Sequence, residues 1–131
     1  TVGLAVGAAG GDLAGRGAVV LGASYRGGVK ETAFSGIFAT VSALRDAGAV
    51  VSVHDPMYTH EELRALGWTP FAMGDPTDVV IVQADHAEYR ELTNDDLPGA
   101  TVIVDGRRVL KRDNFPGTRI LVVGQAEGVT Q

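Results

Sequence analysis

Four cations, Arg26, Lys30, Arg107 and Arg108, stand just after apolar runs that read as buried strands. The first two lie in GASYRGGVKE, residues 22–31, where Gly22, Gly27 and Gly28 relieve side-chain clashes in a turn leading into a helix. A helix start offers unpaired backbone N–H groups and partial positive charge, and with two cations beside it the segment suits a phosphate or pyrophosphate. The same residues also suit a plain tight turn with two solvated cations. The spacing fits neither G-x-G-x-x-G nor G-x-x-x-x-G-K-[ST], so it is no standard dinucleotide or P-loop fingerprint. Arg107 and Arg108 follow Asp105-Gly106, where a guanidinium can clamp a phosphate through two N–H groups or pair with Asp105 or Asp113.

Other polar residues are less directive. Asp55 follows a strand, where a dinucleotide fold carries its ribose-binding acid, but it comes 33 residues after Gly22 against the ~20 expected. With Pro56 after it, a turn or cap role is the simpler expectation. His54, His60 and His86 are dispersed, with no H-x-x-x-H or H-E-x-x-H spacing, so no metal site is expected. His86 is placed to bond a ligand or to cap the following turn. Ser24 and Ser35 lack the G-x-S-x-G context of a nucleophile. Trp68, Phe71 and Tyr58 are expected as satellite packing under a connection, or as a partner surface if exposed.

The elements that must position these groups alternate between two patterns. Short β-branched runs at Ala18–Leu21, Ala49–Val53, Asp78–Gln83, Thr101–Val104 and Arg119–Val123 end mostly in Gly, Asp or His. Between them fall a helix from about Thr32 to Ala47, with apolar residues three and four apart and Gly48 as its stop, and shorter helices near His60–Leu66 and Ala87–Leu92. Nearly continuous Val/Ile/Leu runs imply strands covered on both faces, joined by right-handed crossovers. The expected fold is therefore α/β: a three-layer, Rossmann-like, doubly wound and mostly parallel sheet of five to six strands. Residues 1–16, rich in Gly and Ala without period, read as a linker or the remnant of a preceding element, 17–126 as one domain and 127–131 as a tail.

Composition agrees with a single globular domain of 131 residues. A net charge of −5 argues against a nucleic-acid surface, and the absence of cysteine removes disulfides, thiolate metal sites and a cysteine nucleophile. The longest charge-free stretches, Thr1–Gly11 and Thr32–Leu44, fall short of the roughly 18 apolar residues of a membrane span. No basic residues precede an apolar core at the N-terminus, so a cytoplasmic location is expected. No self-contained catalytic set emerges, and the whole looks like half of a site.

Five motifs in order resemble the C-terminal domain of the UDP-glucose/GDP-mannose dehydrogenase family, over roughly residues 13 to 126. They are LAGRGAVVLGASYR, with Tyr25 in the family's aromatic place and Arg26 in its lysine place; KETA at 30–33, with Lys30 where the family has arginine; His54-Asp55-Pro56; DHAEYREL; and Asp105-Gly106-Arg107. The exchanged cations keep charge but alter hydrogen-bond geometry. KETAFSG looks more like the N-acetylated or uronate-type branches than UDP-glucose dehydrogenase proper. The resemblance implies a nucleotide-sugar-binding domain of an NAD-dependent nucleotide-sugar 6-dehydrogenase of polysaccharide biosynthesis, which oxidises a sugar C6 alcohol to a carboxylate. It implies substrate contacts from Tyr25, Arg26 and Arg107, beside which Arg108 is a further substrate-binding candidate by position, an approach of Lys30 to the NAD pyrophosphate, and no catalytic residue in this chain, which would not turn over alone. NAD would be bound mainly by an N-terminal domain, with a central domain and a homodimer completing the enzyme. The alternative is a stand-alone flavodoxin-like anion-binding, signalling or oligomerisation module. A phospho-acceptor receiver is disfavoured, because its acidic cluster after the first strand is replaced here by Gly-Ala-Ser-Tyr-Arg.

Overall fold

The computed structural model describes residues 13–22, 37–84, 86–105 and 110–122. Six strands, β1 (Gly17–Leu21), β2 (Val50–His54), β3 (Thr69–Pro70), β4 (Val79–Val82), β5 (Val102–Asp105) and β6 (Arg119–Val122), form one sheet in the order β3-β2-β1-β4-β5-β6. Every neighbouring pair is parallel. Two α-helices, α1 (Ile37–Asp46) and α2 (His60–Ala65), and two 3-10 turns, Ala87–Glu91 and Arg112–Asn114, make the described connections.

Strand alternation divides the core into two layers. Ala18, Val20, Val51, Val53, Val79, Ile81, Val102 and Val104 meet Ile37, Val41 and Leu44 of α1 and Leu63 of α2 on one face. Val19, Leu21, Val80, Val82 and Ile103 meet Phe71, Tyr89, Leu92, Leu97 and Phe115 on the other. Burying a side chain of this size is worth about 1.5–3 kcal/mol, so the four buried residues of β4 hold the centre of the sheet in one register. The expected α/β architecture and all five strand runs are present.

Three details depart from the sequence reading. Leu13 to Arg16, grouped with a leading segment by composition, join the domain: Leu13 is fully buried, its N–H donates to Ala47 O, and Arg16 Nη2 donates to Asp78 Oδ1 at 3.0 Å. Trp68 and Phe71, expected as one satellite group, separate into the two main layers. The short β3 passes unannounced, since two residues with a proline carry no strand period. Phe71 N–H turns inward to Val53 O, so the nitrogen of Pro70 faces outward, where proline's missing donor costs the sheet nothing. The helix expected from about Thr32 is described from Ile37. At only six residues, α2 depends on its cap, where Thr59 Oγ1 accepts from Glu62 N and Glu62 Oε1 from Thr59 N.

Candidate functional site

The connection after β1 reaches α1 on one face, while that after β4 reaches the 3-10 turn Ala87–Glu91 on the other. The chain thus divides between β1 and β4, and open parallel sheets bind ligands in the crevice beyond such a switch point. Gly22 leaves β1 there with φ of +107°, its N–H donating to His54 O at 2.7 Å. A Cβ on Gly22 would lie 2.4 Å from Ala84 Cβ and 2.8 Å from Ala84 N, so only glycine lets the two strand ends close up. On the β4 side, Gln83 N–H donates to Leu21 O, and the Gln83 Oε1 accepts from Thr40 Oγ1 of α1 at 2.9 Å.

A polar network bridges β2 to the turn after β4, passing across the end of β1. Asp55, 3% exposed, accepts from Met57 N at 2.7 Å through Oδ1, the turn role that Pro56 suggested. Its Oδ2 lies 3.0 Å from His86 Nε2, with both side chains essentially closed to solvent. His86 stands at the N-cap position of the 3-10 turn but makes no side-chain cap bond, so the capping role is replaced by the tie to Asp55. Next to it, the Tyr89 hydroxyl donates to His54 O at 3.1 Å and lies 3.0 Å from His54 Nδ1. A phenol has one proton, so with that proton on the carbonyl the His54 ring donates from Nδ1. The His54 carbonyl therefore receives both Gly22 N–H and Tyr89 O–H, which ties the start of the first loop to the network.

Burial lowers the pKa of His54 below its ordinary 6.5, outweighing the opposing pull of Asp55. Burial, with Asp55 and Glu88 adding to it, pushes Tyr89 far up, so it works as a neutral hydrogen-bonding phenol. The unfolded chain binds the His54 proton more readily than the folded one. The stability linked to His54 is thus complete above about pH 6.5 and falls as pH drops toward the lowered folded pKa. Urea unfolding at pH 7.5 and 5.5 is expected to show this loss, and His54→Gln to reduce it. An undiminished pH dependence in His54→Gln would exclude the assignment.

Of the sequence-predicted contacts, Tyr25, Arg26, Lys30, Arg107 and Arg108 lie outside the described residues, as do Ser24, Gly27, Gly28 and Ser35. The strand ends that lead to them are described. Leu21 pairs with Val82 and Val82 with Asp105, so the chain preceding Tyr25 and that preceding Arg107 leave the same edge two strands apart, about 10 Å. Asp105 is buried and its Oδ2 accepts from Leu110 N at 2.9 Å, which closes the base of the second excursion. Thr40, Gln83 and Tyr89 went unassigned by sequence reasoning; for Tyr89 the DHAEYREL motif was the available signal. Among the described residues no group of three or more His, Cys, Asp or Glu is placed to hold a metal ion, and no helix is long and apolar enough to cross a membrane.

A doubly wound parallel sheet with a glycine pinched at its switch point has the build of a nucleotide-binding α/β domain. The chain belongs to the UDP-glucose/GDP-mannose dehydrogenase family, and residues 19–112 match that family's UDP binding domain. It is 26% identical to the UDP-glucose 6-dehydrogenase of Rhizobium meliloti (strain 1021), over 93% of this chain and 30% of that protein. A UDP-glucose dehydrogenase structure from Pyrobaculum islandicum superposes with a TM-score of 0.75 at 27% identity, over 92% of this chain and 28% of that one. The UDP-D-ManNAc dehydrogenase of Pyrococcus horikoshii shares the fold, with a TM-score of 0.68 at 20% identity over 96% of this chain and 29% of that one. The chain spans less than a third of the length of each.

Proposed function

We propose that this chain is the nucleotide-sugar-binding domain of an NAD-dependent nucleotide-sugar 6-dehydrogenase, which oxidises a C6 alcohol to a carboxylate in two hydride-transfer steps. The observation that carries the reading is the match of residues 19–112 to a UDP binding domain. The strand-end geometry supports it, since β1 and β5, the strands that precede the two basic segments in sequence, end at one edge of the sheet on either side of β4.

In this reading Tyr25 and Arg26 contact the nucleotide sugar, and Arg107 with Arg108 meets its phosphates or sugar. Lys30 approaches the NAD pyrophosphate from the facing side. The described residues do not form a dinucleotide site themselves. Asp55, at the place of a ribose-binding acid, is closed to solvent and engaged with Met57 and His86, and no G-x-G-x-x-G is present. NAD is therefore assigned to another domain, as is the catalytic group, because this chain has no cysteine. The chain alone binds without turnover. The complete enzyme is read as a cytoplasmic homodimer serving polysaccharide precursor synthesis.

Calorimetric titration of the 131-residue chain with UDP and UDP-sugars tests the reading. Saturable, weak binding is expected, since half a site lacks its partner's contacts. Arg107→Ala should weaken it by about 10-fold or more, the loss expected for a charge-assisted phosphate contact. Arg107→Ala binding UDP as well as the unsubstituted chain would refute the role of Arg107, and no saturable binding at all would refute the reading.

A further inference from the structure

Gln83 is the first residue beyond β4 and is half-buried at the rim of the switch-point crevice, beside the contact between Gly22 and Ala84. Its backbone is pinned, with its N–H on Leu21 O at 2.8 Å. By strand alternation its side chain shares the face of Val79 and Ile81, toward α1, where Thr40 Oγ1 donates to Oε1. The amide's acceptor is thereby occupied, and its Nε2 keeps two N–H donors with no hydrogen bond to any described residue.

Among the described residues, the two buried carboxylates at the same edge are already engaged within the protein. Asp55 is engaged with Met57 N and His86, and Asp105 with Leu110 N. A fixed, uncharged, donor-only group at this rim matches the oxygens of an anion. We propose that Gln83 is a binding residue for the diphosphate, its Nε2 donating to a phosphoryl oxygen of the nucleoside diphosphate. This rests on the nucleotide-sugar reading above and adds to it a contact from the end of β4, the strand between β1 and β5.

Gln83→Glu is nearly isosteric and keeps the acceptor for Thr40, but replaces the donors by a charged oxygen. Titration of the full chain with UDP is expected to show at least a 10-fold weaker affinity for Gln83→Glu and a smaller loss, about 3- to 10-fold, for Gln83→Leu. Inorganic pyrophosphate should follow the same order, and thermal midpoints should stay close to that of the unsubstituted chain. Gln83→Leu keeps the test available if Gln83→Glu fails to fold. Unchanged UDP affinity in the folded variants overturns the proposal, as does a loss confined to UDP-sugars, which would place the donor on a sugar hydroxyl. If the unsubstituted chain itself gives no saturable UDP binding, the underlying reading falls and this contact with it.

Discussion

Replacing Gly22 with alanine is expected to destabilise the chain by about 3 kcal/mol, from overpacking and left-handed strain together. The added methyl would meet Ala84 Cβ at 2.4 Å and Ala84 N at 2.8 Å, and the latter is backbone that cannot swing aside. Either β1 and β4 part at their carboxyl ends, or Gly22 N–H gives up its bond to His54 O. Typical domain stabilities are about 5–15 kcal/mol, so the loss would consume much of the total. Gly67→Ala provides the control. Gly67 also has a positive φ, +91°, but nothing within 4 Å of its added Cβ, so it should lose only the backbone part, about 1 kcal/mol. Urea unfolding of both variants separates collision from strain. Equal losses for the two would show that the contact with Ala84 relaxes freely.

Removing the carboxylate of Asp55 is expected to cost about as much or more. Asp55→Ala takes a partner from buried His86 and an acceptor from Met57 N in one change, and each buried polar group left unsatisfied costs about 1–3 kcal/mol. Asp55→Asn should lose less, because it keeps a carbonyl oxygen for the Met57 turn while disturbing the tie to His86. Combining Asp55→Ala with His86→Ala should cost less than the two single losses added, with a coupling of about 1 kcal/mol or more if the contact is a true pair. Additive losses would show that the two residues act separately. Thermal or denaturant unfolding reads all three.

The main strands were legible because their burial on both faces leaves uninterrupted Val, Ile and Leu, and Gly48 marked the end of α1 as a glycine, which the structure places at a φ of +94°. The turn role of Asp55 was legible from Pro56, a neighbour in sequence. What joins Asp55 to His86 and Tyr89 to His54 was not, because the partners are 31 and 35 residues apart and meet only once β2 and β4 lie either side of β1. Periodicity reports which face a residue takes, not which polar atom it meets there. Gln83 shows the same limit: the strand ending was visible, while the role of Thr40 in orienting its amide depends on how α1 packs. The five motifs resembling the dehydrogenase family gave the nucleotide-sugar reading before any geometry, and the family match bears out the membership.

The outward nitrogen of Pro70 also bears on how copies of this sheet can associate. An incoming strand along β3 finds only two residues, one of them without a donor, so extension on that side is disfavoured. Among the described residues, β6 forms the other edge of the sheet. A sheet with a defective edge adds strands less readily on that side, and Pro70 supplies that defect here.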